Sequence, residues 1–478
     1  MPPRASESEG RVVEDGVNGG DAVRLLGIVL GPIAKDEECR TMPHNINFQQ
    51  SIDQSERLVP VNLRQSGDPG IQLLLSNRVR KSPYWHLSVE AGCWKATVYN
   101  RMYHPRAYVR PEDGGAMEEY RALVNDVTLW NVAVERPIRV RGPEAEAFCN
   151  YVCTRDVTRV PTMMGRYVVL CDEQGRVLND PVMLRVADDE FWFTISDSDL
   201  AYWFRGVNHG MRFDVEIDEI DVSPLQVQGP KSEDLLADLV GEAVREVPYY
   251  GLMAARIEGA DVLISQTGFS GEKGYEVYAY DSTLNAETVW NAIRTVGEAY
   301  NLMVIAPAHH RRIAAGILSY GQDLDHETNP FQCNLGHMVP KAKEADYIGK
   351  EALERTRELV KAGKPPFSHQ LVGLKLDGKP IEDYAPDFWL VSPDAGSEPC
   401  GWITSPWYSP ELGTNIAMAY VPVSSATLGT ELVAWLPDEF LDIPGQPVAA
   451  TVCEMPFRES VNPSSRERAK AAGRDYAY

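Results

Sequence analysis

The chain has 478 residues, too many for one ordinary compact domain, so two or three are expected. Hydrophobic side chains make up 44%, enough for sizeable cores, and no run approaches the roughly 18 apolar residues of a spanning helix. With 46 Lys and Arg against 69 Asp and Glu, the formal net charge of -23 repels a phosphate backbone and argues against nucleic acid as a partner.

The apolar stretch from Leu25 to Ile33 lies among acidic residues and lacks a basic start. It makes a poor signal peptide, so a cytoplasmic location without a membrane partner is expected. Eight cysteines in so long a chain do not form a disulfide framework; only Cys149 and Cys153 stand four apart, without a second pair at metal-ligand spacing. The nine histidines are scattered and no HExxH occurs, so no metal site is expected.

In chain order, residues 1–45 are rich in Glu, Asp, Gly and Arg without periodicity. They read as a disordered tail in which Met42 is a second candidate start. Residues 46–81 form a transitional extension with a turn signal at Ser66 to Gly70. From Ser82 strands and helices alternate. Arg136 to Arg141 reads as a strand, and the segment from Gly142 as a helix. Two apolar runs, Tyr167 to Cys171 and Pro181 to Val186, flank DEQGRVLND and predict a hairpin. Val289, Ile293, Val296 and Tyr300 recur at helical spacing and predict a helix over Asn285 to Tyr300. Arg311 to Tyr320 reads as another helix, ended near Gly321. A basic, Pro-containing stretch, 355–366, is the expected linker. Beyond it HQLVGLKL, GWITSPWYSP, NIAMAYVP and ELVAWLP read as short strands of an all-β barrel or sandwich over 367–460, before a polar tail, 461–478.

Five segments in order then carry a resemblance. They are GRYVVLCDEQGRVLNDPVML from Gly165, PLQVQGPKS from Pro224, TGFSGEKGYEVY from Thr267, RRIAAGILSYGQDLD from Arg311 followed by DYIGKEAL, and GWITSPWYSPELGTNIAMAYV from Gly401 closed by MPF at Met455. Together they resemble the glycine-cleavage T-protein (aminomethyltransferase) superfamily. TVYNRM at Thr97, LWNVAVERPIRVRGPEA at Leu129, VLNDP at Val177 and SDSD at Ser196 are similar to the folate-dependent demethylase branch, the dimethylsulfoniopropionate demethylases in particular. The resemblance implies an α+β fold of three subdomains around a folate channel: two α/β subdomains within 82–354 and a C-terminal β-barrel.

It also implies tetrahydrofolate as cofactor. A pterin presents paired donors on its aminopyrimidine edge, which a carboxylate satisfies. Glu276 matches the family position that does so, with Gly268, Gly271 and Gly274 permitting the turn that presents it. Taken alone, a Glu after a Gly-rich turn is an ordinary solvated loop residue. Asp180 matches the catalytic aspartate beside the reacting nitrogen, although Asn-Asp-Pro is also a plain turn signal. Tyr167 matches a tyrosine lining the folate site. The family's Arg-x-Glu-Ala-Gly is here Arg312 to Gly316 with Ala314 in place of the glutamate, and its Arg-Asp pair is Ala308 and His309. These departures argue against an aminomethyl-lipoyl substrate.

Donor choice is expected in the N-terminal segment, where Trp85, Trp94, Tyr99, Met102 and Tyr103 could wall a pocket, with His86 and His104 as candidate acids. Such side chains could hold a cation by its attraction to aromatic faces, stack on an aryl ether, or simply pack beneath a sheet. The expected activity is transfer of a methyl or methylene group from a small-molecule donor to tetrahydrofolate. The density of Trp and Tyr favours a methoxy- or methylenedioxy-arene; a sulfonium or N-methyl donor is the alternative. A non-catalytic folate-binding assembly protein is the rival of another class, and retention of Asp180 argues against it. The oligomeric state is left open.

Overall fold

The computed structural model describes residues 78–382, 389–438 and 441–458, and side chains outside 436–445. The expected tails, and the extension up to residue 77, lie outside the described residues. Among the described residues no helix is long and apolar enough to cross a membrane.

Two sheets and a barrel make up the fold. The first sheet has the order Leu252–Ile257, Ala260–Ser265, Gly274–Tyr280, Val222–Gln228, Thr128–Asn131, Met303–Val304. Only its last pair is parallel. Side chains alternate across a strand. Leu225, Val227, Ile264, Tyr275 and Val277 therefore share one face, packed against the helices Ser232–Val240 and Ser282–Gly297. The opposite parity, Gln226, Gln228 and Glu276, looks away from those helices and is buried all the same. A polar buried face needs partners, and this one is where the site forms.

The second sheet is antiparallel throughout, in the order Glu216–Glu219, Pro137–Arg141, Glu190–Thr194, Val182–Ala187, Met164–Tyr167. Ile138, Val140, Phe191 and Phe193 pack under the helices Ala145–Val152 and Leu200–Met211 through Phe148 and Phe204. On its other face Leu184 and Trp192 meet Leu263 and Tyr278 of the first sheet. The two sheets thus pack by their helix-free faces.

The expected hairpin forms as two successive ladders. Leu170–Cys171 pairs with Val177–Asn179 around the turn, and Met164–Tyr167 pairs with Val182–Ala187 below it. The break between them falls at Asp180 and Pro181, because proline cannot donate to a ladder. The helix read over Arg311 to Tyr320 needs correction: it runs only His309–Ala314. Gly316 ends it at φ +69, a conformation L side chains rarely adopt. The helix predicted over Asn285 to Tyr300 is present as Ser282–Gly297, with a 3-10 turn to Tyr300. Helix Lys350–Lys361 runs through the first half of the expected linker.

Residues 369–453 form a closed barrel, in the order His369–Leu376, Thr414–Pro422, Gly401–Ser409, Leu390–Ser392, Glu431–Asp438, Leu441–Cys453. Ala417, Ala419 and Val421 point inward, while Ile416, Met418 and Tyr420 point outward into a second core. A bulge in Gly401–Ser409 between Ile403 and Ser405 adds one residue to the strand. That shift lets Trp402 and Trp407, of opposite parity, join the same outer core. It also aims the hydroxyls of Thr404 and Ser405 at Asp323, at 2.5 and 2.6 Å. Asp323 in turn pairs with the fully buried Arg312 at 2.5 Å. With every neighbour satisfied, this buried pair fixes helix His309–Ala314 onto the barrel.

Candidate active site

Asp180 sits at the ladder break, 7% exposed. Its Oδ2 accepts the Tyr167 hydroxyl at 2.7 Å and its Oδ1 the Ser196 hydroxyl at 2.5 Å. Burial raises its pKa to about 6, against the pull of those two hydrogen bonds. The carboxyl thus titrates near neutrality, the condition for exchanging a proton.

The SDSD segment is what steadies it. Asn179 donates to the Ser196 carbonyl at 3.0 Å and the Ser198 hydroxyl at 2.7 Å, and accepts from the Ser196 amide at 3.0 Å. A two-stranded ribbon, Lys95–Tyr99 with Met102–Ala107, docks its tip on the same segment. Asn100 and Arg101 both have positive φ, the requirement of a tight two-residue hairpin turn. The Asn100 amide donates to Asp197 at 2.6 Å and Arg101 pairs with Asp199.

Glu276, 3% exposed, accepts from Gln226 Nε2 at 2.8 Å, from Thr267 Oγ1 at 2.7 Å and from the Tyr278 hydroxyl. Burial raises its pKa despite these donors. Gln228 clamps the loop that leads to it, donating to the carbonyls of Thr267 at 3.1 Å and Tyr275 at 3.3 Å. Gly268 and Gly274 sandwich that amide. A Cβ at Gly268 would stand 2.2 Å from it, and one at Gly274 would stand 2.3 Å away. Gly271 is the member of the trio with a left-handed φ, +70, and a Cβ there would meet Ala315 at 2.4 Å. Gly268→Ala is therefore expected to destabilise the fold by about 1–3 kcal/mol through overpacking. An unchanged thermal midpoint would show that the clamp gives way freely.

Sequence reasoning missed Glu135. It follows strand Thr128–Asn131 in a turn closed by its amide on the Val132 carbonyl at 2.9 Å. Burial, then the charges of Glu276 and Asp180, hold its carboxyl well above the usual carboxylate range. Three carboxylates thus share one field. The signal was present: a glutamate directly after the apolar run Val132 to Val134.

The seven N-terminal candidates do not converge. Strand alternation places Tyr99, Met102 and His104 on one face of the ribbon and Tyr103 on the other. Tyr103 stacks on Trp85 at 5.1 Å. Tyr99 is the one that reaches the carboxylates. Burial, then the charges of Asp180, Asp197 and Glu135, keep its phenol protonated, with Ser196 in hydrogen-bond reach. Met102 and His104 are buried beside it, and the Tyr99 and His104 rings lie 5.9 Å apart. Burial and Arg106 push the His104 pKa down to about 3, so it is neutral and carries no proton to give as an imidazolium. His86 is exposed on helix Trp85–Glu90. Trp94 is 37% exposed and donates to the Val109 carbonyl at 3.2 Å, beneath Arg110.

Comparison with known proteins matches this architecture along its length. Residues 85–343 fit the GCVT N-terminal domain, and residues 369–458 the glycine cleavage T-protein C-terminal barrel domain. The chain is 33% identical over 365 residues to the dimethylsulfoniopropionate demethylase of Ruegeria pomeroyi, covering 76% of this chain and 95% of that protein. It is 32% identical over 387 residues to an aminomethyltransferase of Thermotoga maritima, covering 79% and 98%. The crystal structure of the glycine cleavage system aminomethyltransferase T from Bartonella henselae shares the fold, with a TM-score of 0.68 at 22% identity over 81% of this chain and all of that one. With both the two-sheet region and the barrel matched, the chain belongs to the glycine-cleavage T-protein superfamily and is a tetrahydrofolate-dependent one-carbon transferase.

Proposed function

We propose that the chain moves a methyl or methylene group from a methoxy- or methylenedioxy-arene to tetrahydrofolate, with Asp180 as the catalytic carboxylate and Glu276 as the pterin anchor. Tetrahydrofolate, when bound, supplies the nitrogen that accepts the carbon. The residues present fit its pterin. Glu276 has four acceptor positions, and three are filled by neighbours of this chain. The carboxylate keeps capacity for a fourth, and Thr267 can release another, since its hydroxyl also reaches Ser265 at 2.9 Å. Glu135 adds a second carboxylate beside it.

The observation that carries the reading is the poise of Asp180. A carboxyl with a pKa near 6 takes up the proton that the transfer releases and returns it to water at neutral pH. Tyr167 and Ser196 hold it in one orientation, so little of the rate is lost to disorder. Tyr99 supports an aryl ether as donor. Its neutral hydroxyl beside Asp180 can donate a hydrogen bond to a departing phenolate oxygen, which a sulfonium does not require. A sulfonium is the second reading: a cation bound beside Asp180, Glu276 and Glu135 would draw these buried carboxyls back towards the ionised form.

The test is a donor panel with tetrahydrofolate: a methoxybenzoate, a methylenedioxybenzene, dimethylsulfoniopropionate and N-methylglycine, with methyl- and methylene-folate read by mass. Folate-dependent turnover of an aryl ether is expected. Turnover without folate would remove the central reading, and turnover of the sulfonium alone would replace the donor.

A further inference from the structure

A second candidate site lies apart from the carboxylates. A cavity of ≈ 40 Å³ opens where the ribbon, the helix Gly115–Asn125, the turn into helix His309–Ala314 and barrel strand Gly401–Ser409 meet. It has room for two or three waters and none for a ring.

Its polar lining consists mostly of donors. His310 is 4% exposed and lies between two rings, Trp407 at 5.1 Å and Tyr120 at 5.0 Å. Its Nε2 has no partner among the described residues, and neither has the indole N–H of Trp407, which is 5% exposed. An indole nitrogen can only donate, and a buried donor left unmet is costly. Arg106, in contact with His309, and Lys95 bring positive charge to the lining. The one acid there, Glu119, turns its carboxylate to the backbone amides of Tyr108, Val109 and Ala306 at 2.8, 2.9 and 3.1 Å. Burial, then the nearby cation Arg311, holds His310 neutral, at about 3, so its ring can give a neutral N–H. Arg311 itself is engaged by Glu272 and Glu411.

We propose that this cavity binds a carboxylate, with the Trp407 indole N–H, His310 Nε2–H and the Arg106 guanidinium as its donors. The proposal rests on the folate-dependent reading for its two sources of carboxylate: the one-carbon donor, or the glutamate end of tetrahydrofolate. A planar anion of two oxygens matches convergent donors and a positive field in a space too small for an aromatic ring.

The probe is acetate, followed through the indole N–H resonance of Trp407, assigned by its loss in Trp407→Phe. That resonance is expected to shift saturably with acetate and to stay still with acetamide. Arg106→Gln, which spares both aromatic rings, is expected to weaken acetate binding about tenfold. A resonance unmoved by acetate, or moved equally by acetamide, would overturn the site, as would undiminished acetate affinity in Arg106→Gln. Tetrahydropteroate, which lacks the glutamate, separates the sources. If tetrahydrofolate blocks acetate and tetrahydropteroate does not, the folate tail is the occupant. If neither blocks it, the occupant is the donor, and Trp407→Phe raises KM about tenfold for a carboxylated donor at unchanged kcat. Binding of tetrahydropteroate itself tests the pterin site independently, so either reading can fail alone.

Discussion

Asp180→Asn is expected to lower kcat at saturating tetrahydrofolate by about 10²–10⁴-fold, the usual worth of a positioned proton-transfer group. The amide keeps the size of the carboxylate, and the Ser196 and Tyr167 hydroxyls can still meet it, so folate affinity should change little. Turnover measured at saturation isolates the effect. A variant within about twofold of the parent, a gap of only ~0.4 kcal/mol, would make Asp180 a turn residue. The same substitution should make the free protein more stable. The folded-state pKa is raised to about 6 from 3.8, so between these values the folded chain holds a proton that the unfolded chain has lost. Stability of the parent therefore falls as pH rises from about 4 to about 6. The full difference is of order 3 kcal/mol at neutral pH. Thermal midpoints of the two proteins should coincide near pH 4 and separate by pH 7, with the Asn variant higher. Parallel curves would mean that burial does not strain this carboxyl.

Glu276→Gln should damage folate affinity and not the chemistry. An ionised carboxylate offers acceptors to every donor around it, whereas an amide offers one oxygen and a mismatched N–H. Gln226, Thr267 and Tyr278 all donate inward, so the new N–H is met only if one of the two hydroxyls turns from donor to acceptor and gives up its present bond. The expected loss of folate binding is about 2–4 kcal/mol, as for breaking a buried hydrogen-bonded pair. Saturating folate should restore much of the rate, the contrast with Asp180. Calorimetric titration that finds the affinity unchanged would place the pterin elsewhere.

The sequence made the periodic parts of this protein legible and left the punctuated parts obscure. Helix Ser282–Gly297 could be read because Val289, Ile293 and Val296 mark one face. Four barrel strands could be read because turn signals bound them, while Leu390–Ser392 is too short to show a pattern. The false extension of helix His309–Ala314 has a plain cause. Its apolar residues serve a loop packed in a core, and a loop's burial has no period. Asp180 and Glu276 stand in motifs, which is what made them candidates in the sequence. Glu135 was passed over because a single acid beside Arg136 looks like half of a surface ion pair. Arg136 in fact pairs with Asp199 and Glu219, at 3.2 and 2.7 Å. The N-terminal aromatics looked like one cluster because a one-dimensional count ignores the two faces of a ribbon.

The outer wall of the barrel has a consequence for how such chains are assembled. Trp402, Trp407, Ile416, Met418 and Tyr420 share a core with Ile313, Phe331, Met338 and Leu353, and with Val169 and Val177 of the hairpin that carries Asp180. The two family domains divide the chain between residues 343 and 369, yet cohesion runs straight across that divide. A barrel excised there would turn its tryptophans to water and invite self-association. Inheritance as a module and autonomy in folding are separate properties, and a core shared across the divide ties this barrel to the rest of the chain. Val169 and Val177 of the hairpin that carries Asp180 pack in that shared core, so a cavity cut into the outer wall of the barrel removes packing from beneath the hairpin as well.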